Sequence, residues 1–365
     1  MKVGLIKKID SLLGSAITKI LFPPYAKLQS NLNSLLFIRP GGIGDAVLLV
    51  TTIIALKQKY PETIITVLAE NRNASVFRLC PHVDQVLRYD NPKEFVSAVR
   101  GKYDVIIDTE QWYRLSAVVD RIAKSSISIG YATNERKKMF THNVQYFHED
   151  SEVDSFYNLL EPLGIREYIN IKPPFLVVPD EAREKANSLL GLISDKPFVA
   201  IFAGASIPEK HWEVKKFAKL AMEINRAGYQ LVVIGSEKER AAGEEIVRGL
   251  NCYNLAGKTS LVETAAIIEK SSLLVSGDSG VLHIAAGLGK PTVSLFGPSN
   301  IKKWAPKGER HIVISSTLPC SPCSKFGCTP KCLINAKCMQ DISVDEVAEA
   351  VIRLMVIDVE RCGCS

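Results

Sequence analysis

Three glycine-bearing turns, each placed where an apolar run gives way to a helical pattern, carry single charged groups that could do chemistry. The first is Pro40-Gly41-Gly42-Ile43-Gly44-Asp45. Glycines there let the backbone approach a ligand with no Cβ in the way, and alone they would signal a phosphate or dinucleotide site. The spacing departs from G-x-G-x-x-G, because Asp45 follows Gly44 at once. A carboxylate at the mouth of the turn repels a phosphate and suits a general base; its other reading is a helix N-cap. The second turn, Gly204-Ala205-Ser206 followed by Lys210, sets a hydroxyl and an ammonium beside a helix start, a pairing able to neutralise a diphosphate. The third, Gly277-Asp278-Ser279-Gly280 with His283 one turn further on, offers free amides and the positive end of a helix dipole to an anion. Asp278 can equally be the N-cap there, and His283 a satisfied core histidine.

Each turn requires a strand before it and a helix after it. Residues 35–39 are apolar enough for a buried strand, and a helix is predicted from near Ala46 to Tyr60, stopped by Pro61. Residues 198–202 and 273–275 are the strands that lead into the other two turns. Helices follow over 214–227 and 281–288, and a further strand is predicted over 292–296. More strands at 64–68, 104–108 and 231–234 repeat the pattern, which predicts an α/β protein with parallel sheets. Pro173-Pro174 and Pro179 mark a linker. The chain therefore divides into an extension (1–31), an N-terminal domain (32–175), a C-terminal domain (176–340) and a closing helix and tail (341–365).

The segment running from Ile38 through Arg39-Pro40-Gly41-Gly42-Ile43-Gly44 to Asp45, and Asp278-Ser279-Gly280-x-x-His283 followed by Gly297-Pro298-Ser299, resemble in order the signatures of the ADP-heptose:lipopolysaccharide heptosyltransferases, glycosyltransferase family nine. The likeness extends through Lys59-Tyr60-Pro61, Cys80-Pro81-His82-Val83-Asp84 and residues 255–261, and covers about residues 35 to 340. One departure is Glu213, where the family usually has proline after the tryptophan. The resemblance implies a glycosyltransferase B fold, two Rossmann-like domains facing a cleft, with the acceptor on the N-terminal domain and the donor on the C-terminal one. It also implies transfer of heptose from ADP-heptose to a sugar hydroxyl of the lipopolysaccharide inner core, with inversion.

By the same resemblance, Asp45 is the catalytic base, and Gly41, Gly42 and Gly44 shape the acceptor side. Lys210 is catalytic in meeting leaving-group charge and, with Ser206, binds the donor phosphates; Asp278, Ser279, Gly280 and His283 complete the donor signature. Glu239 is placed to accept hydrogen bonds from the nucleoside ribose, or is simply a surface helix residue. The turn ending at Leu261 borders the adenine. The basic run Arg136-Lys137-Lys138 could meet acceptor phosphates or carboxylates; its other reading is a solvated charged loop.

Composition narrows the alternatives. A chain of 365 residues, 47% hydrophobic and 23% charged, suits a soluble two-domain protein, and a net charge of +6 without dense basic runs does not argue for nucleic acid. No stretch reaches the roughly 18 apolar residues of a membrane span, and Lys7, Lys8, Asp10 and Lys19 interrupt the N-terminal apolar segment where a secretory signal would be continuous. A cytoplasmic location is expected. No Asp-x-Asp motif occurs, so neither a divalent cation nor another cofactor is expected for catalysis.

Two segments stay open. In the extension, Leu5, Ile9, Leu12, Leu13, Ala16, Ile17 and Ile20 recur at helical spacing with five lysines against one aspartate. Such a helix can lie on an anionic membrane, here the inner face of the inner membrane where the lipopolysaccharide precursor sits, or dock on the protein's own surface. Near the C-terminus, Cys320, Cys323, Cys328 and Cys332 could supply a tetrahedral zinc site, although the second pair is spaced x-x-x and no knuckle separates the pairs. Reduced thiols are the alternative. Two rival functions share the expected fold, a nucleotide-sugar epimerase and a non-catalytic nucleotide-sugar-binding protein.

Overall fold

The computed structural model describes residues 32–191, 197–325 and 329–362 together with Asp10 and Gly14. The extension therefore lies outside the described residues except at those two positions, and so does Cys328. The chain divides into two compact units, Met1–Lys172 and Pro173–Ser365, so the boundary falls at the first proline of the predicted linker.

In the first unit the strands are β1 (Ser34–Arg39), β2 (Ile64–Ala69), β3 (Gln85–Arg88), β4 (Tyr103–Asp108), β5 (Ser125–Tyr131) and β6 (His142–Val144). They pair in parallel in the order β3-β2-β1-β4-β5-β6. Burial on both faces explains the near-continuous apolar runs: Leu35, Leu36, Phe37 and Ile38 of β1 are all fully buried. The helix after β1 spans Ile43–Lys59 and starts earlier than predicted. Gly42, in extended conformation, is its N-cap, and Gly44 is absorbed into the first turn, where backbone amides have no intrahelical acceptor to lose.

The second unit holds β7 (Phe198–Phe202), β8 (Gln230–Val233), β9 (Tyr253–Asn254), β10 (Leu273–Gly277), β11 (Thr292–Phe296) and β12 (His311–Ser315), parallel and ordered β12-β11-β10-β7-β8-β9. Numbered from its own first strand, each sheet has the same doubly wound order. In such a sheet the chain turns back between the first and fourth strands, and the crevice at their carboxyl ends is where ligands bind. Here those pairs are β1/β4 and β7/β10.

One face of the second sheet is covered by helix Val214–Arg226, whose Phe217, Leu220, Ala221 and Ile224 form a buried stripe at helical spacing. Helix Val344–Cys362 packs on the same core through Val347, Val351, Leu354 and Met355. The segment read as a separate closing helix is thus part of the second unit.

Candidate active site

Around the β7/β10 crevice, three loops converge on one carboxylate. Lys210 ends the 3-10 turn Pro208–Lys210 after β7, and its Nζ lies 2.6 Å from Asp278 Oδ2 at the end of β10. Ser299, after β11, donates its Oγ to the same oxygen at 2.6 Å. Burial pushes the Asp278 carboxyl upward, but the Lys210 charge, the hydrogen bonds from Lys210 and Ser299, and the His283 charge outweigh it and hold the group below the ordinary carboxylate range. Trp212 fixes the Lys210 loop from below: it is 2% exposed, donates Nε1 to the Ile342 carbonyl at 3.2 Å and meets Phe217 edge-on at 4.8 Å.

The cap of the following helix, Gly280–Gly287, is Ser279 and not Asp278. Ser279 Oγ accepts from the Leu282 amide at 3.3 Å and shares a hydrogen bond with Ser276 Oγ at 2.8 Å. Asp278 is thereby freed from capping and committed to Lys210. Gly280 opens the helix, and His283, buried on its first turn, is near enough to Asp278 to act on its charge. The amides at Ser279-Gly280 remain the ready anion-binding end of the helix dipole.

Other donor-side expectations fare unevenly. Ser206 is exposed, four residues before Lys210, and is not among the groups bonded to Asp278. Glu239 accepts from the Ser236 amide at 2.8 Å and from Ser236 Oγ at 2.6 Å, closing a capping box. Its side chain lies against Gly204 and Gly235, where a Cβ would come within 3.0 and 2.8 Å of it. The residue thus borders the strand-end crevice, but its carboxylate serves the helix cap. Leu261 is the first residue of helix Leu261–Lys270, which Ser260 and Glu263 cap reciprocally.

In the first unit Asp45 stands in the first turn of its helix, near the positive dipole end, and it is not the N-cap. Its Oδ2 folds back over Gly42, where a Cβ would approach to 2.7 Å. Gly41 adopts φ +110°, open to glycine, and a Cβ there would lie 3.1 Å from Arg39 Nη2. Buried Arg39 donates to the Pro40 and Thr109 carbonyls at 2.7 and 2.9 Å and to Glu110 Oε2 at 3.1 Å. Burial pulls its pKa down, and the charges of Asp45, Glu110, Glu152 and Asp108 more than restore it. Glu110 Oε1 in turn accepts from the amides of Gln111 and Trp112 at 3.0 and 3.1 Å, fixing the loop after β4.

The basic run splits. Lys137 and Lys138 are exposed, whereas Arg136 is fully buried, paired at 2.5 Å with Asp108 Oδ2 and set over the Phe140 ring at 5.2 Å. Its guanidinium also donates to the Glu110 carbonyl. Arg136 therefore belongs to the scaffold under the β4 loop, not to an acceptor-facing cluster. Arg114 is likewise engaged, 2.7 Å from Glu135.

At the two described positions the extension docks on its own unit. Asp10, 3% exposed, accepts from the Arg114 and Leu115 amides, both at 2.7 Å, at the start of helix Arg114–Ala123. Among the described residues no three His, Cys, Asp or Glu side chains form a metal-holding group. Cys320, Cys323 and Cys332 are free, and burial raises the thiols of Cys323 and Cys338.

Residues 93–334 match the sequence profile of Glycosyltransferase family 9 (heptosyltransferase). The chain belongs to that family. It is 28% identical over 308 residues to lipopolysaccharide heptosyltransferase 2 of Salmonella typhimurium, covering 77% of this chain and 87% of that protein. Against lipopolysaccharide heptosyltransferase 3 of Escherichia coli K12 it is 29% identical over 291 residues, 74% of this chain and 84% of the relative. The structure of E. coli ADP-heptose LPS heptosyltransferase II superposes with a TM-score of 0.73 at 25% identity, covering 89% of this chain and 99% of that one. A family 9 glycosyltransferase of Veillonella parvula shares the fold at TM-score 0.75 and 22% identity, covering 90% and 99%.

This family 9 chain is thus a glycosyltransferase with two Rossmann-like units of the glycosyltransferase B type. Sequence reasoning gave no role to Ser299, which the structure ties to Asp278, or to Arg39 and Glu110, which brace the turn bearing Asp45. Ser299 was visible as the end of Gly297-Pro298-Ser299. The Ser236-x-x-Glu239 spacing was itself a capping-box signal.

Proposed function

We propose that this protein transfers heptose from ADP-heptose to a sugar hydroxyl of a lipopolysaccharide inner-core acceptor, with inversion and without a divalent cation. The observation that carries the reading is the Lys210–Asp278 pair at the carboxyl ends of β7 and β10, beside the helix start at Ser279-Gly280, in a chain of the heptosyltransferase family. A diphosphate is suited to that place because an ammonium and free helical amides both favour anionic oxygens.

In the proposed reaction the acceptor oxygen attacks the anomeric carbon opposite the departing ADP. The anomeric C–O bond breaks with its electrons going to the β-phosphate oxygen, and Asp45 takes the hydroxyl proton. Charge growing on the diphosphate is met by Lys210 and the Ser279-Gly280 amides. Gly41 and Gly42, whose missing side chains leave room for Arg39 and Asp45, bring the turn close to the acceptor. The five lysines of the extension, in this reading, favour an anionic membrane surface near a lipid-anchored acceptor.

The test supplies purified protein with ADP-heptose and a heptose-free inner-core acceptor, and follows ADP release and product mass with and without EDTA. ADP release that requires acceptor and survives EDTA supports the reading. Sugar leaving ADP without acceptor favours an epimerase, and tighter binding of UDP or GDP than of ADP overturns the donor assignment.

A further inference from the structure

The hydroxyl of Ser299 lies one step behind the donor site. It is 4% exposed and donates at 2.6 Å to Asp278 Oδ2, the oxygen that also receives Lys210 Nζ at 2.6 Å. These three residues follow β11, β10 and β7, which are neighbours in the sheet, so one chain of hydrogen bonds ties three adjacent loops at the crevice. An ammonium on a four-carbon stem has several rotamers of similar energy, and a partner that is itself fixed removes most of them. Lys210 is only partly buried, with 20% of its side chain exposed, so packing alone does not hold it.

We infer that Ser299 is a positioning residue for glycosyl transfer: by fixing Asp278 Oδ2 it sets the Lys210 ammonium where the leaving diphosphate develops its charge. The inference rests on the donor-site reading above. Ser299→Ala leaves the Lys210 charge in place, so ground-state attraction for ADP persists, whereas the geometry that matters at the transition state is loosened. The cost falls on kcat more than on donor affinity.

Its test is a double-mutant cycle of Ser299→Ala with Lys210→Ala, read as kcat, KM for ADP-heptose and Kd for ADP, with Ser299→Thr as the conservative variant and thermal melting to follow the fold. The expected result is a loss of kcat of about 10-fold in Ser299→Ala, within the range of a hydrogen bond to a charged group, with ADP affinity changed by less than about threefold. Ser299→Thr restores most of the rate, and the Ser299→Ala loss largely disappears when Lys210 is already alanine. An equal loss in both backgrounds, or unchanged kcat in Ser299→Ala, overturns the inference while leaving the donor-site reading intact. Lys210→Ala with native turnover and native ADP affinity overturns the donor-site reading and this inference with it.

Discussion

Asp108 and Arg136 meet at 2.5 Å with neither side chain exposed to solvent. Two charges withdrawn from water cost several kcal/mol each unless both are well paired, so removing either partner strands the other. Arg136→Ala is expected to destabilise the protein by about 3–5 kcal/mol. Lys137→Ala and Lys138→Ala, on the exposed side of the same turn, should stay within about 0.5 kcal/mol. Urea unfolding of the three variants checks this, and equal small effects would return Arg136 to the surface cluster.

Lys210→Ala removes the charge that faces Asp278 and, in the proposed reaction, the diphosphate. ADP affinity and turnover should both fall, each by roughly 10- to 100-fold, the range of a charge-assisted hydrogen bond. Added magnesium is expected to leave both losses uncorrected. Calorimetry with ADP and initial rates with and without the metal make the measurement. Because Asp278 is held below the ordinary carboxylate range, the pair persists through any mildly acidic assay.

Asp120 gives a pH signature for the fold. It is 1% exposed; burial raises its carboxyl well above the ordinary range, and Ser128 Oγ at 2.5 Å on Oδ1 and the nearby arginines offset this only in part. Among the described residues its Oδ2 has no hydrogen-bond partner. A folded-state pKa above the unfolded one means that the folded protein binds the extra proton, so the associated stability is full below the unfolded pKa and is lost as pH rises through the folded one. Asp120→Asn, neutral at all pH, should unfold at higher urea than the parent at pH 8, with the gap closing towards pH 4. A gap independent of pH would show that the carboxyl stays ionised in the fold.

The parts legible in the sequence were those set by neighbours along the chain. Strands β7 and β11 fall at the predicted limits because apolar runs there end at glycine, proline or polar turns. The strand-to-helix turns at Gly41-Gly42 and Ser279-Gly280 also followed from local pattern. What could not be read depends on partners distant in sequence. Arg136 looks like one of three equivalent cations until Asp108, 28 residues away, draws it inward. Asp278 looks like the cap because it precedes a helix, but Lys210, 68 residues away, claims it and leaves the cap to Ser279.

Docking of the extension through Asp10 and the proposed attraction of its lysines to an anionic surface can be tested apart. Asp10 satisfies two first-turn amides, so Asp10→Ala should cost about 1–2 kcal/mol, the upper range for losing a helix cap, without changing binding to anionic vesicles. Replacing its five lysines by glutamine should abolish vesicle binding at low salt and leave unfolding unchanged. Vesicle sedimentation beside urea titration separates the two, and vesicle binding unaffected by the lysine replacement would assign the segment to surface packing alone.

In the proposed transfer the proton of the acceptor hydroxyl goes to Asp45. The measurement is the rate of acceptor-dependent ADP release by Asp45→Asn, with ADP-heptose affinity determined on the same preparation. Asparagine keeps the shape of the side chain over Gly42 but cannot take a proton, and loss of a general base costs on the order of 10² to 10⁴ in rate. The expected result is that loss with donor affinity unchanged, since Asp45 belongs to the first unit and Lys210 and Asp278 to the second. Turnover within a few-fold of the native enzyme would contradict the assignment of Asp45 as the base.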